Sequence, residues 1–429
     1  MAYFLIEGER ATPMNVVGRR DWCRILWFAL FMLQAGTASS ADTNPPGQAS
    51  YPGIPDPEWD EVFHRSEGWT GGDGMFTVPL GDGTTLWLFS DTWIGKVKEN
   101  SHAPGARIVN NSIARHAIGK DGLPPLKDKV AFAWGKPDAE GHPTAWIRPE
   151  AGEGIDGVKK GDKADTWFWL ADGILNTGDD GKPRLTLFLW RIERTKGQGV
   201  MNFRSAGGDV AIVENPQDDC SHWRLKQIHN PHAIAAANKS EKVLETSWGT
   251  EIVPEPEGGG TFLYVIGVRE AGLGNKQLVV ARVPAEMPER FDDWEFRTAT
   301  GWSKALVEAV PVVENISNEF SITPVVREGK TVWALVYSEP FFGSKILLRV
   351  ARSPLGPWSK PTPVFQVPEL SRNKKYFTYA AKAHPELSRP GELLITYVVN
   401  SFDFGAMVRD ASIYRPRFVR LPLREIPDP

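Results

Sequence analysis

The sequence predicts an all-β protein, a five-bladed β-propeller built of four-stranded antiparallel blades. Apolar runs of four to eight residues recur along the chain, separated by Gly, Pro, Asp and Asn. The chain shows no long amphipathic helical pattern. The composition agrees with short strands and many turns, because the 429 residues include 41 Gly, 34 Pro and 17 Trp.

A unit of four apolar runs is repeated five times. The units begin near Asp73, Asp165, Trp248, Glu319 and Lys382. In the fifth unit only Leu393–Val399 and Arg417–Leu421 are clear later strands. Five units of four strands predict five blades, whose inner strands line a central channel. A pair of β-sandwiches is the alternative, and it ranks second because no domain boundary interrupts the units.

The amino terminus resembles a targeting segment. Arg19 and Arg20 precede the apolar run Ile25–Leu33, and small residues follow as far as Ala41. This order is typical of a secretory signal, and the apolar run is short for a membrane span. We therefore predict a signal peptide at 1–41, a flexible Pro-, Gly- and Ser-rich linker at 42–60 and the propeller at 61–429. The mature protein would be secreted or periplasmic without stable membrane insertion; an uncleaved anchor is the alternative.

Charge and motif content exclude several classes of function. The net charge of -4 and the pI of about 6.1 give no polybasic signature, so nucleic acid is not an expected partner. Cys23 and Cys220 are the only cysteines, and no metal-binding spacing of Cys and His occurs. The sequence also has no phosphate loop, dinucleotide fingerprint or nucleophile elbow. We predict no cofactor and no metal, although a structural Ca²⁺ in the channel stays an open alternative.

The stretch from Gly71 to Gly95 holds the strongest local signal. Gly81-Asp82-Gly83 separates two short apolar runs, which predicts a hairpin whose turn needs positive φ. Asp73 precedes the first run and Asp91 follows the second, so antiparallel pairing brings the two carboxylates together. Trp69 and Trp93 lie beside them in the sequence. Paired carboxylates are what glycoside hydrolysis requires, and flat aromatic faces suit a sugar ring.

Three segments carry a resemblance to known families. Arg352-Ser353-Pro354-Leu355-Gly356-Pro357-Trp358-Ser359 resembles the blade-end signature of the five-bladed glycoside hydrolases of family 43. The first hairpin, with Val109-Asn110-Asn111-Ser112 after it, is similar to secreted bacterial propellers known as domains of unknown function 4185 and 5005. Lys382-Ala383-His384-Pro385 and Tyr397-Val398-Val399-Asn400 fit the same pattern.

This resemblance spans Trp69 to Leu423 and implies acidic residues at the entry of inner strands. Some members of the 4185 family are similar to arabinan hydrolases. The chain departs from the family 43 pattern, because its third unit begins Glu245-Thr246-Ser247-Trp248-Gly249 without a clear acid at the ring. The strongest later acid, Glu319, opens the fourth unit instead.

Three residues are the predicted catalytic set. Asp73 is the candidate base or nucleophile, and its alternative is a simple turn. Asp91 would tune the pKa of Asp73, or hold a blade turn by binding backbone N–H groups. Glu319 is the candidate general acid, because partial burial at a strand entry raises a carboxyl pKa; its alternative is an exposed strand end.

A second set is predicted to bind substrate. Asp165 and Asp172 compete for the second-blade acid, with a bulge as the alternative for Asp172, and Glu251 is a candidate third-blade acid. Lys382 and His384 alternate along one strand and would both face the channel, with a structural role as the alternative for His384. The stacking and hydroxyl-binding candidates are Trp69, Trp93, Trp248, Asn111 and Asn400.

These observations predict a secreted glycoside hydrolase that cleaves a polysaccharide, with a carbohydrate as its partner, and the resemblance implies an arabinan-like substrate. The alternative is a non-catalytic propeller that binds glycan or protein. A sialidase-like enzyme is disfavoured, because the repeated Asp-box turns common on such propellers are absent from the sequence.

Overall fold

Two short helices and 24 strands make up the regular structure of the described chain. This computed structural model describes residues 51–117, 127–150, 166–196, 201–240, 243–256, 259–272 and 274–429. The helices are α1 (Pro57–Val62) and α2 (Phe404–Arg409), and the first strand is β1 (Ile54–Pro55). In these ranges no helix has the length and apolar character needed to span a bilayer. Single 3₁₀ turns occur at Lys127–Lys129, Cys220–His222, Phe291–Asp293, Leu306–Glu308, Pro368–Arg372, Pro385–Leu387 and Leu423–Glu425.

Blade 1 contains the predicted hairpin. Its turn places Gly81 at φ +75° and Gly83 at φ +80°, a region that glycine reaches without steric cost. The strands are β2 (Glu67–Pro79), β3 (Thr84–Lys98), β6 (Ser112–Ala117) and β7 (Val130–Ala133), with β4 (Ser101–His102) and β5 (Arg107–Val109) paired to the end of β3.

The next three blades repeat the same antiparallel order. Blade 2 contains β8 (Thr166–Thr177), β9 (Pro183–Arg194), β10 (Phe203–Val213) and β11 (Leu225–His229). Blade 3 contains β12 (Thr246–Pro254), β13 (Phe262–Glu270), β14 (Lys276–Pro284) and β15 (Glu295–Arg297), with β16 (Trp302–Ser303) and β17 (Val313–Glu314) at its edges. Blade 4 contains β18 (Phe320–Arg327), β19 (Lys330–Ser338), β20 (Lys345–Ala351) and β21 (Thr362–Gln366).

Blade 5 takes its outermost strand from the other end of the chain. It contains β22 (Tyr376–Ala383), β23 (Glu392–Ser401) and β24 (Arg417–Pro422), and β1 pairs with β24 through Ile54 and Arg420. The all-β, five-bladed prediction is therefore confirmed, because each of the five sheets has a four-stranded antiparallel core. The inner strands of neighbouring blades contact one another, including β2 with β22 across the closure.

The described part of the predicted flexible linker forms regular secondary structure. From Tyr51 onward it forms β1 and α1, and Trp59 is 1% exposed in the core between blades 5 and 1. Asp56 caps α1 by accepting from the N–H groups of Glu58 and Trp59 at 3.2 Å. The local Pro- and Gly-rich composition resembles a linker, but the free edge of β24 supplies a non-local partner for it.

The hydrophobic core is divided into five clusters, one between each pair of neighbouring blades. Phe76 and Leu88 of blade 1 pack with Leu170 and Leu187 of blade 2, for example. Strands of a propeller are thus buried on both faces, and only residues at the channel or the loops are free for binding. This arrangement decides which of the predicted aromatic residues can reach a ligand.

Four of the five inner strands change register close to a charged residue of the channel. The shifts lie at Gly72/Gly74 in β2, Leu170/Gly173 in β8, Trp248/Glu251 in β12 and Tyr379/Lys382 in β22. An extra residue in one strand bends it and redirects a side chain. The pairing of β18 with β19 runs without a shift. These bulges set the positions of the charged side chains of the channel.

Candidate active site in the channel

Charged residues from all five blades meet in the channel. Asp73 and Asp172 lie inside the bulges of β2 and β8, and Glu251 and Lys382 follow the bulges of β12 and β22 directly. Glu319 immediately precedes β18. Their charges interact. The negative charges of Glu319, Asp73 and Glu251 raise the pKa of Lys382, and the charge of Asp172 raises the pKa of Glu251. Blades 1 to 4 thus supply carboxyl groups and blade 5 supplies an ammonium group.

Asp73 is held from blade 5 by two tyrosines. Its Oδ2 accepts the hydroxyl of Tyr379 at 2.5 Å and that of Tyr414 at 2.8 Å. Burial raises the pKa of Asp73 well above its usual value, and the charges of Asp91 and Glu319 raise it further against the two hydroxyl donors. Among the described residues, Oδ1 of Asp73 has no hydrogen-bond partner. The carboxyl group is therefore suited to hold a proton.

The glycines around Asp73 create the space for this arrangement. A Cβ on Gly71 would lie 2.4 Å from the carbonyl oxygen of Tyr414, so only glycine lets that backbone approach. Gly74 adopts φ +81°, which completes the bulge that contains Asp73. The sequence predicted that Asp73 precedes the first strand of the hairpin. In the structure Asp73 lies within β2.

Asp91 lies across the hairpin from Asp73. The pairing of Gly72 with Thr92 and of Gly74 with Phe89 brings these parts of β2 and β3 together. Oδ1 of Asp91 accepts from Trp169 Nε1 at 3.1 Å and from Asn110 Nδ2 at 3.2 Å. Burial raises the pKa of Asp91 to about 6 despite these two donors.

Glu319 is paired with a buried lysine. Lys382 Nζ lies 3.3 Å from Glu319 Oε1, and their side chains are 3% and 12% exposed. The same ammonium donates to the carbonyl oxygens of Gly74 and Ala380 and lies 4.1 Å from the centre of the Phe76 ring. Burial raises the pKa of Glu319 and lowers that of Lys382, while the charge of each partner opposes these shifts. Lys382 is therefore a counter-ion that joins blades 1, 4 and 5; its role as a substrate ligand in the channel stays a prediction.

A second group of acids lines a cavity toward the ends of the inner strands. The cavity has a volume of about 660 Å³, and its lining includes Asp172, Glu251, Lys382, His384 and Glu386. Burial raises the pKa of Asp172 to about 8, although its Oδ2 accepts from Ile252 N at 2.9 Å. Burial and the charge of Asp172 raise the pKa of Glu251 well above its usual value. Burial raises the pKa of Glu386 to about 7.

His384 and Asn400, both predicted to bind substrate, form hydrogen bonds to other side chains of the protein. His384 is 1% exposed and bonds Thr77 Oγ1 and Thr396 Oγ1, both at 2.7 Å, and burial lowers its pKa to about 3. It is a structural imidazole, the alternative that we had left open. Asn400 donates from Nδ2 to the Tyr379 hydroxyl at 3.2 Å, so it orients the tyrosine that holds Asp73.

The three tryptophans predicted to stack on sugar lie in the core, which corrects that prediction. Trp69 and Trp93 are 1% and 2% exposed, against Phe132 at 4.6 Å and His102 at 4.1 Å respectively. Trp248 is 2% exposed and donates from Nε1 to the carbonyl oxygen of His232 at 2.8 Å. Their ring faces are occupied by protein and cannot contact a ligand.

Asn111 is also structural, which corrects its predicted role. It is fully buried, its Nδ2 donates to the carbonyl oxygens of Ile147 and Phe168 at 2.9 Å, and its Oδ1 accepts from Ile147 N at 2.9 Å. No capacity remains for a sugar hydroxyl. Asp165 lies outside the described residues.

Several groups of the channel were not predicted from the sequence: Asn110, Trp169, Tyr379, Tyr414 and Glu386. Tyr379 precedes Lys382 by three residues on the same strand, and this proximity was an available signal. Tyr414 reaches Asp73 from the loop between β23 and β24, and no local pattern indicates such a contact.

Comparison with known proteins places the chain in a family. The model of the family described as Domain of unknown function (DUF5005) matches residues 56–422. The chain belongs to the DUF5005 family. The resemblance of its first hairpin is thereby confirmed. No curated protein matches the chain.

Several solved structures are similar to the chain. One, provisionally described as a hydrolase from Bacteroides ovatus ATCC 8483, has 21% identity and a TM-score of 0.64, covering 88% of this chain and 92% of its own. An exo-β-1,3-galactanase from Phanerochaete chrysosporium has 11% identity and a TM-score of 0.41, covering 82% and 60%. A β-1,3-galactosidase of glycoside hydrolase family 43 has 12% identity and a TM-score of 0.40, covering 83% and 93%. At 21% identity, the likeness to the first of these structures is one of fold.

Proposed function

We propose that this DUF5005 protein is a glycoside hydrolase whose reaction takes place where the inner strands enter the channel. The observation that supports the proposal is the gathering of Asp73, Asp91 and Glu319, three carboxyl groups whose pKa values are all raised. Glycoside hydrolysis needs one protonated carboxyl group for the leaving oxygen and one carboxylate for water or for carbon. Environments that separate the pKa values of neighbouring acids provide both.

The pKa directions favour an assignment opposite to the one expected from sequence. Asp73 is the general acid in this proposal, because burial and two neighbouring negative charges raise its pKa well above the usual range. Glu319 is the ionised partner, because the ammonium of Lys382 opposes the effect of burial on its pKa. Asp91 supports the protonated form of Asp73 by charge repulsion.

The finer parts of the proposal rest on sequence. The basic residues and apolar run before Ala41 favour action outside the cytoplasm. The resemblance to propellers related to arabinan hydrolases favours a plant-type polysaccharide such as arabinan as the substrate.

The test is release of reducing sugar from a polysaccharide panel by a chain that begins at Asp42. Asp73→Asn and Glu319→Gln are each expected to lower the rate by about 10²- to 10⁴-fold, the range associated with acid–base catalysis. Asp82→Asn is a control, because Asp82 lies in the exposed turn of the same hairpin. Circular dichroism should show an unchanged fold for all three.

The arms of this experiment separate the alternatives. Undiminished activity in Asp73→Asn and Glu319→Gln would overturn the assignment, and activity lost only in Asp172→Asn and Glu251→Gln would transfer the chemistry to the second acid group. Glycan binding by the parent without hydrolysis of any polysaccharide would favour a non-catalytic binding propeller.

A further inference from the structure

An exposed cluster of aromatic rings lies at the mouth of the channel between blades 4 and 5. We define this rim cluster as Phe342, Phe377 and Phe402. The ring centres of Phe377 and Phe402 are 4.4 Å apart, and Phe342 lies 4.9 Å from Phe377 and 5.1 Å from Phe402. Phe377 is buried beneath the other two, which are 53% and 47% exposed. The cluster therefore presents two half-exposed aromatic rings to solvent above a buried one.

The backbone holds Phe342 in this position against its own preference. Phe342 adopts φ +57°, a region that a bulky residue rarely occupies. The turn is fixed by Glu339, whose N–H donates to Lys345 O at 2.8 Å and whose Oε2 accepts from Ser344 N at 3.0 Å. Strain of this kind persists where the surrounding structure enforces it and is often associated with binding sites.

The rim cluster is continuous with the carboxyl groups of the channel. Phe377 and Tyr379 are two residues apart on β22, and their ring centres are 5.6 Å apart. The hydroxyl of Tyr379 donates to Asp73 at 2.5 Å. A ligand that contacts Asp73 can therefore extend past Tyr379 onto the exposed rings.

Two ion pairs lie beside the cluster. Lys375 Nζ lies 3.0 Å from Asp403 Oδ2, and Arg372 is paired with Asp410. Exposed aromatic rings beside such ion pairs suit an uncharged ring with one C–H-rich face and hydroxyl groups at its edge. A neutral sugar residue has this chemistry, whereas an anionic sugar would need cations without carboxylate partners, and Lys375 and Arg372 are both paired.

We propose that the rim cluster is a binding subsite for a second sugar residue of a neutral polysaccharide whose reacting residue occupies the channel. The inference rests on the proposed function, because it takes Asp73 as the neighbouring reaction centre. It extends that function, because the substrate becomes a chain of several uncharged residues that runs from the channel across blades 4 and 5.

The test uses affinity gel electrophoresis with immobilised arabinan, β-1,3-galactan, β-1,4-galactan and xylan as neutral probes and pectate as an anionic one. We compare the parent with Phe342→Ala, Phe402→Ala and Phe342→Trp. Phe341→Ala is the matched control, since Phe341 has φ +58° and is 70% exposed but packs on Gly274. Asp73→Asn is included as a chain that is expected to bind without cleaving.

At least one neutral polysaccharide should retard the parent, Asp73→Asn and Phe341→Ala equally. Phe342→Ala and Phe402→Ala should weaken that binding about five- to tenfold, the effect expected for loss of one stacked ring, and Phe342→Trp should retain it. Equal retardation of the parent and both cluster variants would overturn the subsite, as would retardation by pectate alone or by no probe. Retardation that depends on Phe342 without hydrolysis by the parent would support the subsite and reject the catalytic function.

Discussion

Lys382 gives the sharpest test of the electrostatics of the channel. Lys382→Met keeps much of the apolar stem but removes an ammonium group that binds Glu319 and the carbonyl oxygens of Gly74 and Ala380. Breaking a buried ion pair from one side costs about 3–5 kcal/mol, because the remaining charge loses its compensation. We therefore expect the free energy of unfolding to fall by about 4 kcal/mol at pH 8.

The loss should depend on pH in a defined direction. Burial already raises the pKa of Glu319 in the folded protein. A carboxyl group with a raised folded pKa binds more protons in the folded state, so stability falls as pH rises from the unfolded value through the folded one. Without Lys382 the folded pKa of Glu319 rises further. The deficit of the variant should therefore shrink to about 2 kcal/mol at pH 5, where Glu319 is protonated at lower cost.

The assay is guanidinium unfolding at pH 5 and pH 8, comparing variants whose denaturant slopes agree. Lys96→Met is the matched control, because the Lys96–Glu67 pair has side chains that are 62% and 69% exposed. The control should have an unchanged unfolding midpoint at both pH values. A Lys382→Met deficit no larger than that of Lys96→Met, or one that grows toward pH 5, would refute the reasoning.

Two further predictions concern closure and His384. A chain beginning at Arg65 lacks β1 and α1, and with them Trp59 and Phe63 of the core. Its free energy of unfolding should be at least about 3 kcal/mol below that of a chain beginning at Tyr51. Equal thermal unfolding of the two chains would contradict the role of this segment in closing the propeller. The His384 ring should show no NMR titration between pH 5 and 8, because burial lowers its pKa to about 3. A depressed folded pKa stabilises the protein above the unfolded value of about 6.5, and this contribution should be lost as pH falls toward 3.

Features that depend on neighbouring residues could be predicted from the sequence. Gly81-Asp82-Gly83 predicted its hairpin because the positive φ values of the turn demand glycine. The spacing of apolar runs also predicted the blades, because each strand is followed along the chain by the strand that pairs with it. The pairing of Asp73 with Asp91 followed directly from that hairpin.

Features that depend on distant contacts could not be predicted. Ile54 and Pro55 look like linker residues until β24 is placed beside them. Trp69 and Trp169 look equivalent in the sequence, yet Trp69 packs between blades and Trp169 donates to Asp91. Strands that are buried on both faces read as nearly continuous apolar runs, so the pattern does not say which face meets the channel.

Glu251, the candidate third-blade acid, directly follows a local irregularity of its strand. A single-residue slip moves side chains to the other face of a strand. The register shift between Trp248 and Glu251 changes the phase of β12, so counting alternate residues from its start misplaces the acid. The bulges of β8 and β12 place Asp172 and Glu251 at corresponding points of their strands.

Closure of the propeller and assembly of the site depend on the same blade. Blade 5 supplies Lys382, Tyr379 and Asn400 from its strands and Tyr414 from a loop. That loop precedes β24, where Asp60 of α1 accepts from the N–H of Phe418 at 2.9 Å and from Arg417 at 3.0 Å. The amino-terminal segment therefore holds the strand that follows the loop carrying Tyr414. Loss of α1 should then disturb the tyrosine contact of Asp73 before it unfolds blades 2 and 3, which are held by their own interblade core.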